Sequence, residues 1–268
     1  RGFHGPDALD LLHQAGVRYA ADFGKRPADA ERAAWQGGPA IVFPIRDDAG
    51  TLVAGQGRFL SPTAQPKALT FGPRSAGAFV TPGALNSLQA GNPVALCEAP
   101  LDALSLALLG QPALALCGCS GLPTWLTQRA FGRRFLIAFD ADEAGERAAK
   151  EITETLTARG GCVEALPPPH GAKDWNEALQ TGQLTAGSLK ELPPQTPPPP
   201  QVVLTPAARV GGRGAFGKAG AKTESAYHQQ IRPFVLAGIP VPPLDEWEQL
   251  QTDPWTVKEE AALDEFIA

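Results

Sequence analysis

The sequence predicts an α/β fold: a four-stranded parallel sheet preceded by a smaller α+β segment. Three observations carry this. Short, largely apolar runs recur at 93–97, 112–117, 134–139 and 162–166; stretches with helical spacing of apolar residues separate them; and those stretches end at Gly110, Gly132 and Gly160-Gly161. Continuous apolar strands alternating with helices mark a parallel sheet buried on both faces. At 268 residues the chain can bury a core without disulfides or a structural metal.

Residues 7–15 read as a short helix, set between Pro6 and Gly16, and 28–35 as a second. Residues 39–46 and 51–59 read as strands flanking Asp47-Asp48-Ala49-Gly50, a hairpin signal. From 93 onward the strands are joined by helices over 101–110, 122–132 and Glu143 to Arg159, and a last short helix covers 174–180. Six prolines among the eight residues 193–200 exclude a helix or a central strand and predict an extended linker. Beyond it, 209–222 carries Arg209, Arg213, Lys218 and Lys222 among five glycines, and 223–268 holds nine acidic residues against Arg232 and Lys258. The expected organisation is therefore an N-terminal α+β segment (1–91), the parallel-sheet domain (92–190), a linker (191–208) and a tail or small docking module (209–268).

Composition limits the functions available. Lys and Arg number 23 against 28 Asp and Glu, a net charge of −5. That excludes a passive nucleic-acid coat, so any polyanion must be met by a local basic patch or by metal ions. No apolar run approaches the ~18 residues of a membrane span and no signal-peptide pattern opens the chain, so a cytoplasmic location with no membrane contact is expected. The cysteines, Cys97, Cys117, Cys119 and Cys162, form no C-x-x-C pair and the four histidines are scattered, so no zinc site is expected and the thiols read as core residues.

Ligands of open parallel sheets bind beyond the carboxyl ends of the strands. Glu98 follows the first strand, with Asp102 one helical turn later; Asp140-Ala141-Asp142 follows the third; Lys173-Asp174-Trp175-Asn176-Glu177 lies in the loop after the fourth. Taken singly, Asp142 and Asp102 read as ordinary acids of a helix start. Taken together the carboxylates would repel, and hard oxygen ligands so clustered suit Mg²⁺ or Mn²⁺. Paired ions of this kind serve phosphoryl transfer.

These residues resemble the Toprim domain shared by bacterial-type primases, topoisomerases and some nucleases, on the strength of CEAPLDALSLALLG (97–110) and FLIAFDADEAGERAA (135–149). Upstream, VFPIRDDAGTLVAGQGRFL (42–60) and PKALTF (66–71) resemble the basic subdomain of DnaG-type primases, and KDWNEAL (173–179) their closing acidic segment. The resemblance implies a DNA-directed primase, a nucleotidyltransferase making short RNA primers on single-stranded DNA from nucleoside triphosphates with Mg²⁺ or Mn²⁺. It implies Glu98, Asp140 and Asp142 as catalytic and metal-binding residues, and Asp102 and Asp174 as supporting ligands. Arg46, Arg58, Lys67, Arg74 and Lys173 would meet template or nucleotide phosphates. Asn176 stands where primases usually carry a second Asp, Ala99 where they carry Gly, and Cys119 where a Thr or Ser often follows Gly118. Family members carry a zinc-binding domain ahead of this region; with no Met and Arg1 first, the chain is expected to lack its natural start. By position the C-terminal region would contact a replicative helicase. The competing readings are a Toprim nuclease and a non-catalytic nucleic-acid-binding accessory. A topoisomerase is disfavoured, since only Tyr19 and Tyr227 offer a nucleophile.

Overall fold

The computed structural model describes residues 6–24, 37–118 and 121–184. The helix expected over 28–35, Cys119, the proline-rich segment and the region 209–268 lie outside the described residues. Within them, helix α1 (Pro6–Gln14) leads into strand β1 (Arg18–Phe23), followed by β2 (Gly38–Arg46), β3 (Leu52–Phe59) and β4 (Ala68–Phe71). A 3₁₀ turn (Arg74–Ala76), β5 (Ala78–Val80) and α2 (Ala84–Ala90) connect to the alternating half. That half comprises β6 (Val94–Cys97), α3 (Pro100–Leu108), β7 (Ala113–Ala115), α4 (Thr124–Gln128), β8 (Arg134–Ile137), α5 (Glu143–Ala158), β9 (Cys162–Ala165) and α6 (Trp175–Gln180).

The four expected parallel strands are present in the order β7-β6-β8-β9. They continue into the upstream strands as one nine-stranded sheet, because β5 pairs antiparallel with both β7 and β2. The hairpin at Asp47–Gly50 forms as expected: the Asp47 carboxylate accepts from the Ala49 and Thr51 backbone N–H groups, and β2 and β3 pair antiparallel. The expected helix over 122–132 is shorter, Thr124–Gln128. Pro123 fixes its start, and Arg129 leaves helical geometry before Gly132, at φ 66°, turns the chain into β8.

Burial explains the continuous apolar strands. Along β6, Val94 and Leu96 pack with α2, α4 and α5, whereas Ala95 and Cys97 pack with α1, α3 and α6. Alternate side chains thus enter two cores, and neither face tolerates a polar residue. A smaller cluster of Phe23, Ala40, Val42 and Phe59 closes the upstream end. No helix among the described residues is long and apolar enough to cross a membrane.

The topology fixes where a ligand can sit. The chain leaves β6 toward β7 through α3, on one face; it leaves β8 toward β9 through α5, on the other. Opposite faces for opposite directions are what right-handed crossovers require. Adjacent β6 and β8 therefore have connections that diverge, and the crevice opens at their carboxyl ends, where Glu98 and Asp140 emerge.

A candidate metal centre at the carboxyl edge of the sheet

Five acidic side chains from three β–α junctions are electrostatically coupled at this crevice. Glu98 follows β6, Asp102 lies in the first turn of α3, Asp140 and Asp142 follow β8, and Asp174 precedes α6. Two backbone hydrogen bonds hold the junctions together. The Ala141 N–H donates to the Lys173 carbonyl at 2.7 Å, and the Gly118 N–H, beyond β7, donates to the Glu98 carbonyl at 3.2 Å.

Two of these carboxylates have double duty. Asp142 caps α5, accepting from the Gly145 N–H at 2.9 Å, and Asp174 caps α6, accepting from the Glu177 N–H at 2.7 Å. The helix-start reading of Asp142 is thus correct, and Asp174 shares the role. A cap commits one oxygen and orients the other. For Asp142, Oδ2 lies 3.6 Å from the Lys173 ammonium, which also approaches Asp140 Oδ2 at 3.8 Å.

The protonation equilibria record the crowding. Burial, then the charges of Glu98 and Asp174, push the Asp140 carboxyl up to about 6, against the pull of Lys173. Burial raises Glu98 as well, opposed by the Asp140 backbone N–H, and its Oε1 is buried without a hydrogen-bond partner. Asp142 is lowered, chiefly by the Gly145 N–H. Asp102, only 5% exposed, is pushed up to about 7 by burial and by Asp174. An orphaned buried carboxylate oxygen beside partly protonated carboxyls is a donor set short of positive charge, and it fits a hard divalent cation.

No group of three or more His, Cys, Asp or Glu side chains among the described residues is arranged to cage an ion unaided. An open Mg²⁺ site is not such a cage: one or two carboxylates hold the ion, with water and phosphate oxygens completing the shell. Asp140, Asp142 and Glu98 are the residues that would do so. Asp102 stands behind them, its Oδ1 accepting from the Asn176 backbone N–H at 3.0 Å, so it anchors α6 against α3. Asn176 is buried, and its side chain contacts Ser105 and Gln180 within that interface.

Gly145 shows how tightly the loops close. A Cβ there would stand 2.2 Å from the Asp140 carbonyl oxygen and 2.9 Å from Glu98 Oε1. Gly145→Ala should therefore destabilise the fold by about 2 kcal/mol or more and weaken Mn²⁺ binding, as read by thermal denaturation with and without the ion.

The cations are less concentrated than the acids. Arg74, exposed on the 3₁₀ turn, points its guanidinium toward Gly118, with Nη1 3.8 Å from where a Gly118 Cβ would lie. Arg58 lies on β3 opposite Ala68 of β4, and Lys67 precedes that strand, exposed. Arg46 is half-buried: its Nη1 donates to the Gly50 carbonyl at 3.0 Å, and it lines a cavity with Gln14, Thr81 and Asn86 that includes none of the five acids. Burial lowers its pKa from the ordinary arginine value.

Gln56 escaped the sequence reading. From β3 its Nε2 donates to the Cys117 carbonyl at 2.9 Å. Cys117 is buried at φ 56°, the one non-glycine residue with positive φ among the described residues. A left-handed cysteine costs about 1–2 kcal/mol, and Gln56 helps hold it just before Gly118 meets Glu98. Gln56→Leu should lower stability by about 1–2 kcal/mol, and Cys117→Gly, which suits that backbone, should recover part of the loss in thermal melts. A glutamine on a strand gives no sequence signal for a contact 61 residues away.

Residues 93–183 match the Toprim domain family. The chain is 33% identical over 90 residues to an uncharacterized protein of Mycoplasma genitalium, MG010, covering 32% of this chain and 41% of that protein. Among solved structures it is similar to the zinc-binding and RNA polymerase domains of the Aquifex aeolicus primase (TM-score 0.49, 18% identity, 66% of this chain and 53% of that one). The RNA polymerase domain of the Mycobacterium tuberculosis primase DnaG matches with TM-score 0.45 and 22% identity, over 64% of this chain and 58% of that one. The chain thus spans less than two thirds of the length of these relatives.

Proposed function

We propose that this chain is a primase-type nucleotidyltransferase that joins nucleoside triphosphates into short RNA on a single-stranded DNA template. The observation that carries the reading is the meeting of Glu98, Asp140 and Asp142 at the divergence of β6 and β8, in a Toprim segment whose sheet continues into the strands bearing Arg58 and the turn bearing Arg74.

A divalent cation bound here supplies charge neutralisation and alignment of a phosphate with an attacking hydroxyl. The chain's own residues supply the rest. Asp140 and Asp142 hold the ion on side chains fixed by the Ala141–Lys173 backbone bond and the α5 cap. Glu98 Oε1, buried and unpartnered, is the group placed to accept the proton of the attacking hydroxyl. Lys173 and Arg74 meet phosphate oxygens, and Arg58 and Lys67 the template backbone, which contributes affinity without sequence choice. Positioning and electrostatics, rather than covalent chemistry by the protein, do the catalysis. The replicative helicase belongs to this reading as a partner of the region beyond the linker.

Incubation of the full chain with single-stranded DNA, ribonucleoside triphosphates and Mg²⁺ or Mn²⁺ should yield short RNA. Metal-dependent cutting without incorporation would instead establish a nuclease. DNA binding indifferent to the ion would establish an accessory.

A further inference from the structure

We infer that Lys173 is the resident counter-cation of the carboxylate edge: its ammonium neutralises Asp140 and Asp142 until a divalent cation displaces it, and it then turns to nucleotide phosphate. The inference rests on the proposed function and adds a cation exchange to it.

The geometry is specific. Lys173 Nζ lies within 4 Å of both Asp140 Oδ2 and Asp142 Oδ2, at 3.8 and 3.6 Å, so one ammonium serves the two carboxylates assigned to the ion. Its main chain is fixed from both sides. The carbonyl accepts from the Ala141 N–H at 2.7 Å, and the N–H donates to Glu177 Oε2 at 2.6 Å. The side chain is 59% exposed on a flexible four-carbon stem. The backbone stays with the acidic loop while the ammonium can swing.

Charge decides which cation stays. A divalent ion and an ammonium about 4 Å apart repel by roughly 2 kcal/mol even at the dielectric constant of water, and by more in a partly buried crevice. They cannot share Asp140 and Asp142, so the weaker cation leaves. Because its stem starts at a fixed backbone, the displaced ammonium remains at the crevice, where a phosphate held by the ion would accept its hydrogen bonds. Metal arrival and nucleotide capture are thereby coupled through one side chain.

The test uses the full chain as wild type and as Lys173→Gln, which is exposed and leaves the core intact. Free Mn²⁺ is titrated by electron paramagnetic resonance, and the lysine ammonium signal is followed by ¹⁵N NMR on adding Mg²⁺. Removing the competitor should tighten Mn²⁺ binding by about 5- to 30-fold while weakening nucleotide binding. The wild-type Lys173 ammonium signal should be present without Mg²⁺ and be lost or shifted at saturation. A signal that persists unchanged, or Mn²⁺ binding no tighter in Lys173→Gln, overturns the inference and leaves the proposed function standing. Failure of the wild type to bind Mn²⁺ overturns both.

Discussion

Asp102→Asn should make the cation-free protein more stable at pH 8 and leave it nearly unchanged at pH 4. Asp102 is 5% exposed and its carboxyl is pushed up to about 7, chiefly by burial. Between the ordinary carboxylate range near pH 4 and pH 7 the native state holds a proton that the unfolded chain has lost. The stability this contributes is complete below about pH 4, falls as pH rises to about 7, and is gone above it. The cost of ionisation is on the order of 2–4 kcal/mol. Asparagine has nearly the same shape and keeps an oxygen for the Asn176 N–H, but it does not ionise. Thermal denaturation at the two pH values should show a melting temperature higher by about 4–10 °C at pH 8. Saturating Mg²⁺ should shrink the difference, since the ion's charge favours the ionised Asp102 of the wild type and so stabilises the wild type more than the variant. Equal melting temperatures at pH 8, or a variant less stable there, would contradict the burial of an ionised Asp102.

Asp140→Asn should abolish primer synthesis, by about 10³-fold or more, without loss of stability. The carboxylate is assigned to a cation that organises every reacting group, so its removal acts on positioning and charge together. Its environment already disfavours ionisation, with the carboxyl raised to about 6 by burial and by Glu98 and Asp174, so the neutral residue relieves repulsion in the cation-free protein. The same shift sets the pH profile. Protons and divalent ions compete for Asp140 and Glu98, so wild-type activity should rise through about pH 6 and level off. Raising Mg²⁺ should move the midpoint to lower pH. The midpoint belongs to the coupled carboxyls as a set. A profile insensitive to Mg²⁺ would separate the carboxylates from the ion.

Asp102 and Asp140 differ in how far sequence alone made their roles legible. Glu98 and Asp140 stand directly after apolar runs, where a buried ionised group is costly, and topology converts that position into a place at the crevice, beside the α5 cap Asp142. Asp102 and Asn176 could not be separated from them, because both lie within one helical turn of the edge. Only the packing of α3 on α6 shows that Asn176 faces Ser105 and Gln180. Among the elements, the apolar runs that become β6 and β8 are plain in the sequence. β5 has three residues and its pairing partners lie far along the chain, so no local periodicity marks the strand that joins the two halves of the sheet. β1, RYAADF, is half exposed and carries charges, which masks its alternation. Arg46 sat in a basic stretch, and only tertiary structure shows its guanidinium turned to its own hairpin.

The proposed primer synthesis depends on a divalent cation bound where β6 and β8 diverge. Paramagnetic broadening of backbone amide signals by substoichiometric Mn²⁺ locates the ion without requiring any activity. The signals of Ala99, Ala141, Gly145 and Lys173 should broaden first, and those of Thr81 and Gly91, at the opposite ends of the strands, should stay sharp. Broadening centred elsewhere, or none below millimolar Mn²⁺, would contradict the assignment.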